Sequence, residues 1–367
     1  MEDRDYMQLA LEMAQKGAGQ TSPNPLVGSV IVKNGKIIGQ GYHRKYGEKH
    51  AEAAAIDSAS EPVKGATLYC NLEPCCHTSP EKKTPPCAQR IIREGIQRVV
   101  IATTDPNPLV NGKGVEMLRQ AGIEVQIGVE KEAATKLNEA YLKWAKTNEP
   151  FIHLKIAQSV DGRIATSTGH SQWITNAAAR KRVHWWRVTH DAVLVGANTV
   201  LKDDPTLTVR EVEGRNPLRI ILDDQLQIPE AARILNLPDP EKTLIFTFAE
   251  KSSPKFVRLS QKGVQLISLE NSGDGYIPLR QVIGSLTERK VTSILVEGGG
   301  EIFTSFVKER LFDKISVFIA PLIIGEGIES IGSLGISSLE EALRLENISI
   351  EIIDNQALVQ GYRPGSL

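Results

Sequence analysis

The sequence predicts an α/β protein of two domains, spanning 1–147 and 148–367, on three observations. The chain has 367 residues, 41% of them hydrophobic and 24% charged, enough for two sizeable cores. In both halves short apolar runs alternate with amphipathic stretches, as they do where helices cover the faces of a sheet. Between the halves, Lys146-Thr-Asn-Glu-Pro150 is polar and ends in proline, which reads as a joint. Composition narrows the function as well. A net charge of -1 and a pI near 6.7 leave no general basic field for nucleic acid. No apolar run is long enough to span a bilayer, and the acidic start Met1-Glu-Asp-Arg-Asp-Tyr6 has no signal-peptide core. A soluble, cytoplasmic protein acting on a small molecule is the expectation, with no membrane and no nucleic acid as partner.

In the first half, Met7, Ala10, Leu11 and Ala14 fall at helical spacing before Gly17 ends the pattern. Two apolar runs, Leu26–Val32 and Lys36–Gly41, flank Asn34-Gly35, a strong hairpin signal. A helix at Ala51–Ala59 and a strand at Ala66–Cys70 follow. Helices at Pro86–Glu94 and Val115–Gln120 then alternate with strands at Val99–Ala102 and Ile123–Ile127, and one last helix is expected from Lys131 to Lys146. This order puts helices on both faces of a sheet, with His50 and Cys87 in the first turns of neighbouring helices.

In the second half, Phe151–Ile156 is strand-like and Asn176 caps a helix over Ala177–Arg187. Strands are expected at Ala192–Val195, Leu218–Leu222, Thr243–Thr247, Val264–Ser268 and Ser293–Val296, with a helix at Leu279–Arg289 before the last of them. Ile315–Ala320 and Ile348–Ile353 add strands without long helices between them, so the second sheet is mixed.

The chemistry is concentrated between His50 and Cys87. All four cysteines, Cys70, Cys75, Cys76 and Cys87, fall in a stretch that opens His50-Ala51-Glu52. In a chain with no secretory signal, clustered Cys and His more often hold a metal than form disulfides. A catalytic zinc needs three nitrogen or sulfur ligands and a fourth position for water, and one His with two Cys completes that set. His-x-Glu followed by Pro-Cys is also the signature of zinc deaminases, here with a longer gap to the last cysteine. Zinc lowers the pKa of bound water from about 15.7 to about 7, roughly 11 to 12 kcal/mol, against roughly 3 to 5 kcal/mol from a positioned acid or base. The metal is therefore the larger effect, and Glu52 suits the role of proton shuttle. A structural zinc with Cys76 or His77 as fourth ligand is the competing reading, but it gives Glu52 no purpose. Cys70 lies in a strand and reads as a small buried apolar residue.

Two further motifs carry two readings each. Ser22-Pro-Asn-Pro-Leu-Val27 recurs as Asp105-Pro-Asn-Pro-Leu-Val110. Each is either a rigid turn whose Asn satisfies local backbone or, for Asn24 ahead of a strand, a contact to a substrate carbonyl or ribose hydroxyl. Glu297-Gly298-Gly299-Gly300 stands between a strand and a helical Phe303–Arg310. It is either a tight turn or a place where backbone amides and a helix N-terminus meet a phosphate, although it lacks the spacing of G-x-G-x-x-G.

Together with Gly41-Tyr-His43, Thr84-Pro-Pro-Cys87, Ser159-Val-Asp-Gly162, Ser171-Gln-Trp-Ile-Thr175, Gly196-Ala-Asn-Thr199 and Asp203-Asp-Pro-Thr-Leu-Thr-Val-Arg210, these motifs resemble the family of bifunctional riboflavin-biosynthesis deaminase/reductases over nearly the whole chain. The resemblance implies a first domain of cytidine-deaminase-like α/β/α fold, with His50, Cys75 and Cys87 as zinc ligands and Glu52 as catalytic proton donor. Cys76 is a rival to Cys75, and extra residues at Ser79–Lys82 lengthen the loop between the ligands. The implied substrate is a phosphoribosylamino-diaminopyrimidinone that loses its ring amine as ammonia. The second domain is implied to be similar in fold to dihydrofolate reductase and to use NADPH in reducing the ribosyl group to ribityl. Ala157, Trp173, Thr199, Asp203, Gly298, Gly299, Gly300, Glu301, Ile302 and Phe303 would contact the dinucleotide, and Ser171, Arg187, Leu207, Arg210 and Glu297 the sugar phosphate. The forks of Arg187 and Arg210 suit a phosphate. Lys155, Asp203 and Glu297 are the candidates for the acid of that step, Trp185 and Trp186 are read as packing residues, and association into a homo-oligomer is implied.

Overall fold

The computed structural model describes residues 1–78, 84–271 and 275–366 and divides into two compact units, Met1–Asn148 and Glu149–Leu367. The first unit runs α1 (Asp3–Gln15), β1 (Gly28–Lys33), β2 (Lys36–Tyr42), α2 (Ala51–Asp57), β3 (Thr67–Leu72), α3 (Cys87–Arg93), β4 (Arg98–Thr103), α4 (Lys113–Gln120), β5 (Glu124–Ile127), α5 (Lys131–Leu137) and α6 (Glu139–Thr147). Its sheet has the order β2-β1-β3-β4-β5, with β1 antiparallel to both neighbours and β3, β4 and β5 parallel. Side chains alternate across each strand, so the sheet carries two apolar faces. On one, Tyr6, Met7, Ala10 and Ala134 of α1 and α5 cover Val30, Tyr69 and Val100. On the other, Ala55, Ile91 and Leu118 of α2, α3 and α4 cover Ile31, Leu68, Cys70 and Val99. The Asn34-Gly35 turn has both residues at positive φ, 49° and 73°, as the tight hairpin requires.

The helix expected over Lys131–Lys146 is in fact two helices, broken at Asn138. Asn138 is buried and turns its amide inward, where Oδ1 accepts from the Leu26 backbone N–H at 2.8 Å and Nδ2 donates to the Leu26 carbonyl at 2.9 Å. The break thus clamps the loop that leads into β1, a long-range bond to which local periodicity is blind.

The second unit contains β6 (Phe151–Ser159), β7 (Arg163–Thr166), α7 (Ala177–Thr189), β8 (Ala192–Gly196), α8 (Ala197–Asp203), β9 (Leu218–Leu222), β10 (Thr243–Thr247), α9 (Pro254–Gln261), β11 (Gln265–Ser268), α10 (Leu279–Glu288), β12 (Ser293–Val296), α11 (Gly300–Lys308), β13 (Lys314–Ala320), β14 (Gly327–Glu329), β15 (Glu346–Ile353) and β16 (Gln356–Tyr362). Among the described residues its main sheet has nine strands in the order β11-β10-β9-β8-β12-β6-β13-β16-β15. It is parallel from β11 to β13 and antiparallel across β13, β16 and β15, hence mixed. The Asn176 side chain accepts from the Ala179 N–H at 2.8 Å and caps α7.

Several elements depart from expectation. α11 begins at Gly300, earlier than the helix expected at Phe303, with Gly299 as its extended N-cap and Gly300, Glu301 and Ile302 opening the first turn. The short α8 and the strand β16 escape periodicity, the one for its length and the other because its apolar residues are diluted by Gln356, Gln360 and Gly361. Trp186 packs at 9% exposure against His153 and Phe318, but Trp185, one helical step round, is 40% exposed and is not a packing residue.

Candidate active sites

In the first unit, the metal donors come from the N-terminal ends of two helices and the end of one strand. His50 caps α2, Cys87 opens α3, and Cys75 follows β3. Cys75 Sγ and Cys87 Sγ lie 3.4 and 3.5 Å from His50 Nδ1, and the three donor atoms fall within 4.8 Å of one another. One nitrogen and two sulfurs converging at that spacing fit a zinc ion. His50 Nε2, on the far side of the ring, is 3.0 Å from Thr84 Oγ1, and the Cys87 N–H donates to Cys75 Sγ at 3.4 Å, as suits a thiolate at a helix start. The rivals fall away: Cys76 points its thiol at the Leu109 carbonyl, 3.8 Å off, and neither it nor His77 joins the donor group. Cys70 is buried in the core. The extra residues Ser79–Lys82 lie outside the described residues.

Glu52, in the first turn of α2, is 3% exposed. Burial and then the neighbouring Cys75 push its carboxyl up, while its bond to Cys75 and burial push the Cys87 thiol well up. Crowding of acidic groups in a dry pocket is the electrostatics of a cation site.

Asn24 reaches the same region. Its Nδ2 lies 3.1 Å from His43 Nε2, and His43 Nδ1 lies 3.0 Å from the Lys49 carbonyl. A carbonyl only accepts, so His43 donates from Nδ1 and accepts from Asn24 at Nε2 as a neutral ring. Burial holds its pKa down accordingly. The repeated loop behaves differently: Asn107 Oδ1 accepts from the Leu109 N–H at 3.0 Å, a local turn. The motif is shared, but Asn24 bonds His43, 19 residues on, whereas Asn107 Oδ1 accepts within its own turn.

In the sequence His43 and Glu73 stand only as members of the motifs Gly41-Tyr-His43 and Glu73-Pro-Cys75, with no role of their own. Glu73 is buried, and its carboxylate accepts from the backbone N–H groups of Asp105, Gly112 and Val115 at 3.2, 3.0 and 3.1 Å. It thereby fixes the strand end that bears Cys75 to the start of α4. Glu-Pro directly before a ligand cysteine was the available signal.

In the second unit, a cleft of about 1740 Å³ opens at the C-terminal strand ends. Ala157, Trp173, Thr199, Asp203, Gly298, Gly299, Gly300, Glu301, Ile302 and Phe303 line it, as do Ser171, Arg187, Leu207, Arg210 and Glu297. Register explains the inner end. Val296 pairs with Leu154, so the next residues, Glu297 and Lys155, stand side by side. Arg187 on α7 grips Glu297 with Nε to Oε1 at 2.6 Å and Nη2 to Oε2 at 2.8 Å, and also donates to the Thr208 carbonyl at 3.0 Å. The Nε–Nη2 edge of its guanidinium is therefore paired with a carboxylate. Arg210 is exposed, with one Nη1 bond to Thr206 Oγ1 at 2.7 Å. Burial pulls the Lys155 ammonium pKa down. Burial would raise Glu297, but Arg187 and then Lys155 outweigh it and hold the carboxyl below its usual value. Burial raises Asp203, whose Oδ1 is 3.5 Å from Ser171 Oγ. Gly300 is required sterically, since a Cβ there would lie 2.5 Å from the Glu329 carbonyl.

A His/Cys/Cys centre with a buried glutamate in one unit, and a long cleft lined by the glycine turn and by half-buried Lys155, Glu297 and Arg187 in the other, define a two-site enzyme: a zinc hydrolase joined to a dinucleotide-dependent reductase. The comparisons agree. The cytidine and deoxycytidylate deaminase zinc-binding region matches residues 1–103, and the RibD C-terminal domain matches residues 150–359. The riboflavin biosynthesis protein RibD of Aquifex aeolicus is 49% identical over 358 residues, covering 97% of this chain and 97% of that protein. That of Escherichia coli is 39% identical over 358 residues, covering 93% and 94%. The solved structure of the diaminohydroxyphosphoribosylaminopyrimidine deaminase/5-amino-6-(5-phosphoribosylamino)uracil reductase of Thermotoga maritima matches with a TM-score of 0.85 at 38% identity, over 98% of each chain. This chain belongs to the RibD family of bifunctional deaminase/reductases of riboflavin biosynthesis. Its deaminase unit is cytidine-deaminase-like and binds zinc, and its reductase unit uses NADPH.

Proposed function

We propose that the chain deaminates 2,5-diamino-6-(5-phosphoribosylamino)pyrimidin-4-one and then reduces the ribosyl group of the resulting aminouracil to ribityl. One observation carries this: a single chain holds both a His50, Cys75 and Cys87 donor set backed by Glu52 and a cleft in which Lys155 stands beside an ionised Glu297.

In the deaminase, His50, Cys75 and Cys87 hold zinc, which supplies an activated water and an electron-withdrawing centre. Glu52 takes the proton of the attacking water and returns it to the ring amine. The carbon–oxygen bond forms, the carbon–nitrogen bond breaks, and ammonia leaves. Burial favours the protonated Glu52, the form that must donate. His43 draws one N–H of Asn24, so Asn24 presents its Oδ1 to an N–H of the pyrimidine.

In the reductase, bound NADPH would supply the hydride needed to reduce C1 of the sugar. Thr199, Asp203, Ala157, Trp173 and the turn Gly298–Phe303 would hold the dinucleotide, and the backbone amides at the start of α11 would favour an anion. Ser171, Leu207 and Arg210 hold the sugar phosphate. Lys155 is the proton donor: its pKa is lowered by burial, and it has no ion pair among the described residues. Glu297, kept ionised by Arg187, orients Lys155. We assign the enzyme to the cytoplasm and propose a homo-oligomer. Ile348, Ile350 and Ile352, at 54%, 69% and 67% exposure on the edge strand β15, form the face that a second copy would cover.

Product masses after incubation with the diaminopyrimidinone substrate test the whole reading. Deamination alone without NADPH, and deamination with sugar reduction when it is added, are expected. An unchanged substrate in both mixtures, with zinc bound, would overturn it.

A further inference from the structure

Asn24 belongs to the irregular segment that joins α1 to β1, yet the backbone of that segment is bound at its far end by side chains from distant parts of the chain. Asn138, at the break between α5 and α6, accepts from the Leu26 N–H at 2.8 Å and donates to the Leu26 carbonyl at 2.9 Å. Asn71, on β3, donates to the same carbonyl at 2.9 Å and accepts from the Gly28 N–H at 2.8 Å. Both amides are buried, at 3% and 0% exposure, and together they use both lone pairs of the Leu26 carbonyl. Between them, the Val27 carbonyl accepts from the His43 N–H at 2.9 Å. His43 thus holds the segment by its backbone and the Asn24 side chain by its ring.

The exit of the segment cannot yield. A Cβ on Gly28 would lie 2.0 Å from the Ala10 carbonyl oxygen and 2.5 Å from the Ala14 nitrogen, so β1 begins hard against α1. Slack at Leu26 is therefore passed back to Asn24, two residues earlier. The bond from the Asn24 N–H to the Thr21 carbonyl, at 2.8 Å, fixes the shape of that turn but not its place. We propose that Asn138 and Asn71 are positioning residues for the deaminase substrate. By fixing Leu26 they set where the Asn24 amide meets the pyrimidine, while His43 sets how that amide is rotated. The inference rests on the reading of Asn24 as a substrate contact given above. A ring contact made alike in the ground and transition states is uniform binding, so its loss raises KM and largely spares kcat.

The test is the kinetics of deamination of the diaminopyrimidinone substrate by the zinc-loaded full chain, for the wild type, Asn24→Ala, Asn138→Ala and the double variant. Asn24→Ala and Asn138→Ala should each raise KM about tenfold, the scale of one substrate hydrogen bond, with a far smaller change in kcat and zinc content unaltered. The double variant should show the KM of Asn24→Ala alone, because Asn138 acts through Asn24. A lowered melting temperature with KM at the wild-type value would make Asn138 merely structural and overturn the proposal, as would single effects that multiply in the double variant. If Asn138→Ala does not fold, Asn138→Asp takes its place. It keeps an acceptor for the Leu26 N–H and leaves the Leu26 carbonyl to Asn71, and it should raise KM less than Asn24→Ala and again add nothing in the double variant. An unmoved KM in Asn24→Ala would remove the substrate role of Asn24 and the inference with it. A KM raised by Asn24→Ala but not by the Asn138 variants would sink the inference alone.

Discussion

The two sites of this chain are built on opposite plans. The zinc site is small and dry: its donors come from 38 consecutive positions, His50 to Cys87, and meet within 4.8 Å. The reductase site is a long open cleft whose inner residues, Lys155, Arg187 and Glu297, come from three elements and meet only through strand register and one helix. A metal concentrates chemistry into a few donors, so a short stretch can carry it. Hydride transfer needs an extended cofactor held at several points, so a whole sheet edge must carry it.

The sharpest break between the sites comes from the metal. Cys87→Ala should lower deamination by more than about 10⁴-fold, since activation of water is worth roughly 11 kcal/mol, and leave reduction of deaminated substrate unchanged. Zinc content and the two separate rates check this. An equal loss of both activities would mean that the sites are not independent.

The proton carriers come next. Glu52→Gln should cost deamination, and Lys155→Met reduction, about 10² to 10⁴-fold each, with zinc retained in both. The Lys155 assignment carries a pH signature. Its folded pKa is lowered, so its charge, and with it proton donation, is lost at a lower pH than that of an ordinary lysine. Between that folded pKa and the unfolded value near 10.4 the unfolded chain binds more protons, so the contribution of Lys155 to stability rises with pH as the rate falls. Rate profiles and melting curves of wild type against Lys155→Met should diverge in that sense.

A smaller effect separates support from chemistry. Glu297→Gln leaves Arg187 buried without its partner and should destabilise the C-terminal unit by about 3 to 5 kcal/mol, read by denaturant unfolding, while the zinc site is untouched. Least of all, Asn176→Ala removes the cap of α7 and should cost about 1 kcal/mol in that unit with little change in either rate.

The same contrast explains what could be read from the sequence. The grouping of His50, Cys75 and Cys87 was legible because two helix starts and the loop after a strand bring the motif's donors together. The strands from Phe151 to Val296 were legible as well, because buried parallel strands are continuous apolar runs. What escaped depended on distance along the chain. Asn138 breaks a helix to bind Leu26, 112 residues away, and Arg187 pairs with Glu297, 110 residues away. Neither bond leaves a local trace. His43 and Glu73 lie between these cases, present in the motifs but revealed as supports only by the hydrogen bonds they make.

The central claim is that one chain holds two independent sites, and product masses from Glu52→Gln test it most directly. Given the diaminopyrimidinone substrate, the variant should form deaminated product about 10² to 10⁴-fold more slowly than the wild type. Given the already deaminated substrate and NADPH, it should yield the ribityl compound at the wild-type rate. Failure of the second reaction, with the protein folded and zinc bound, would contradict the account.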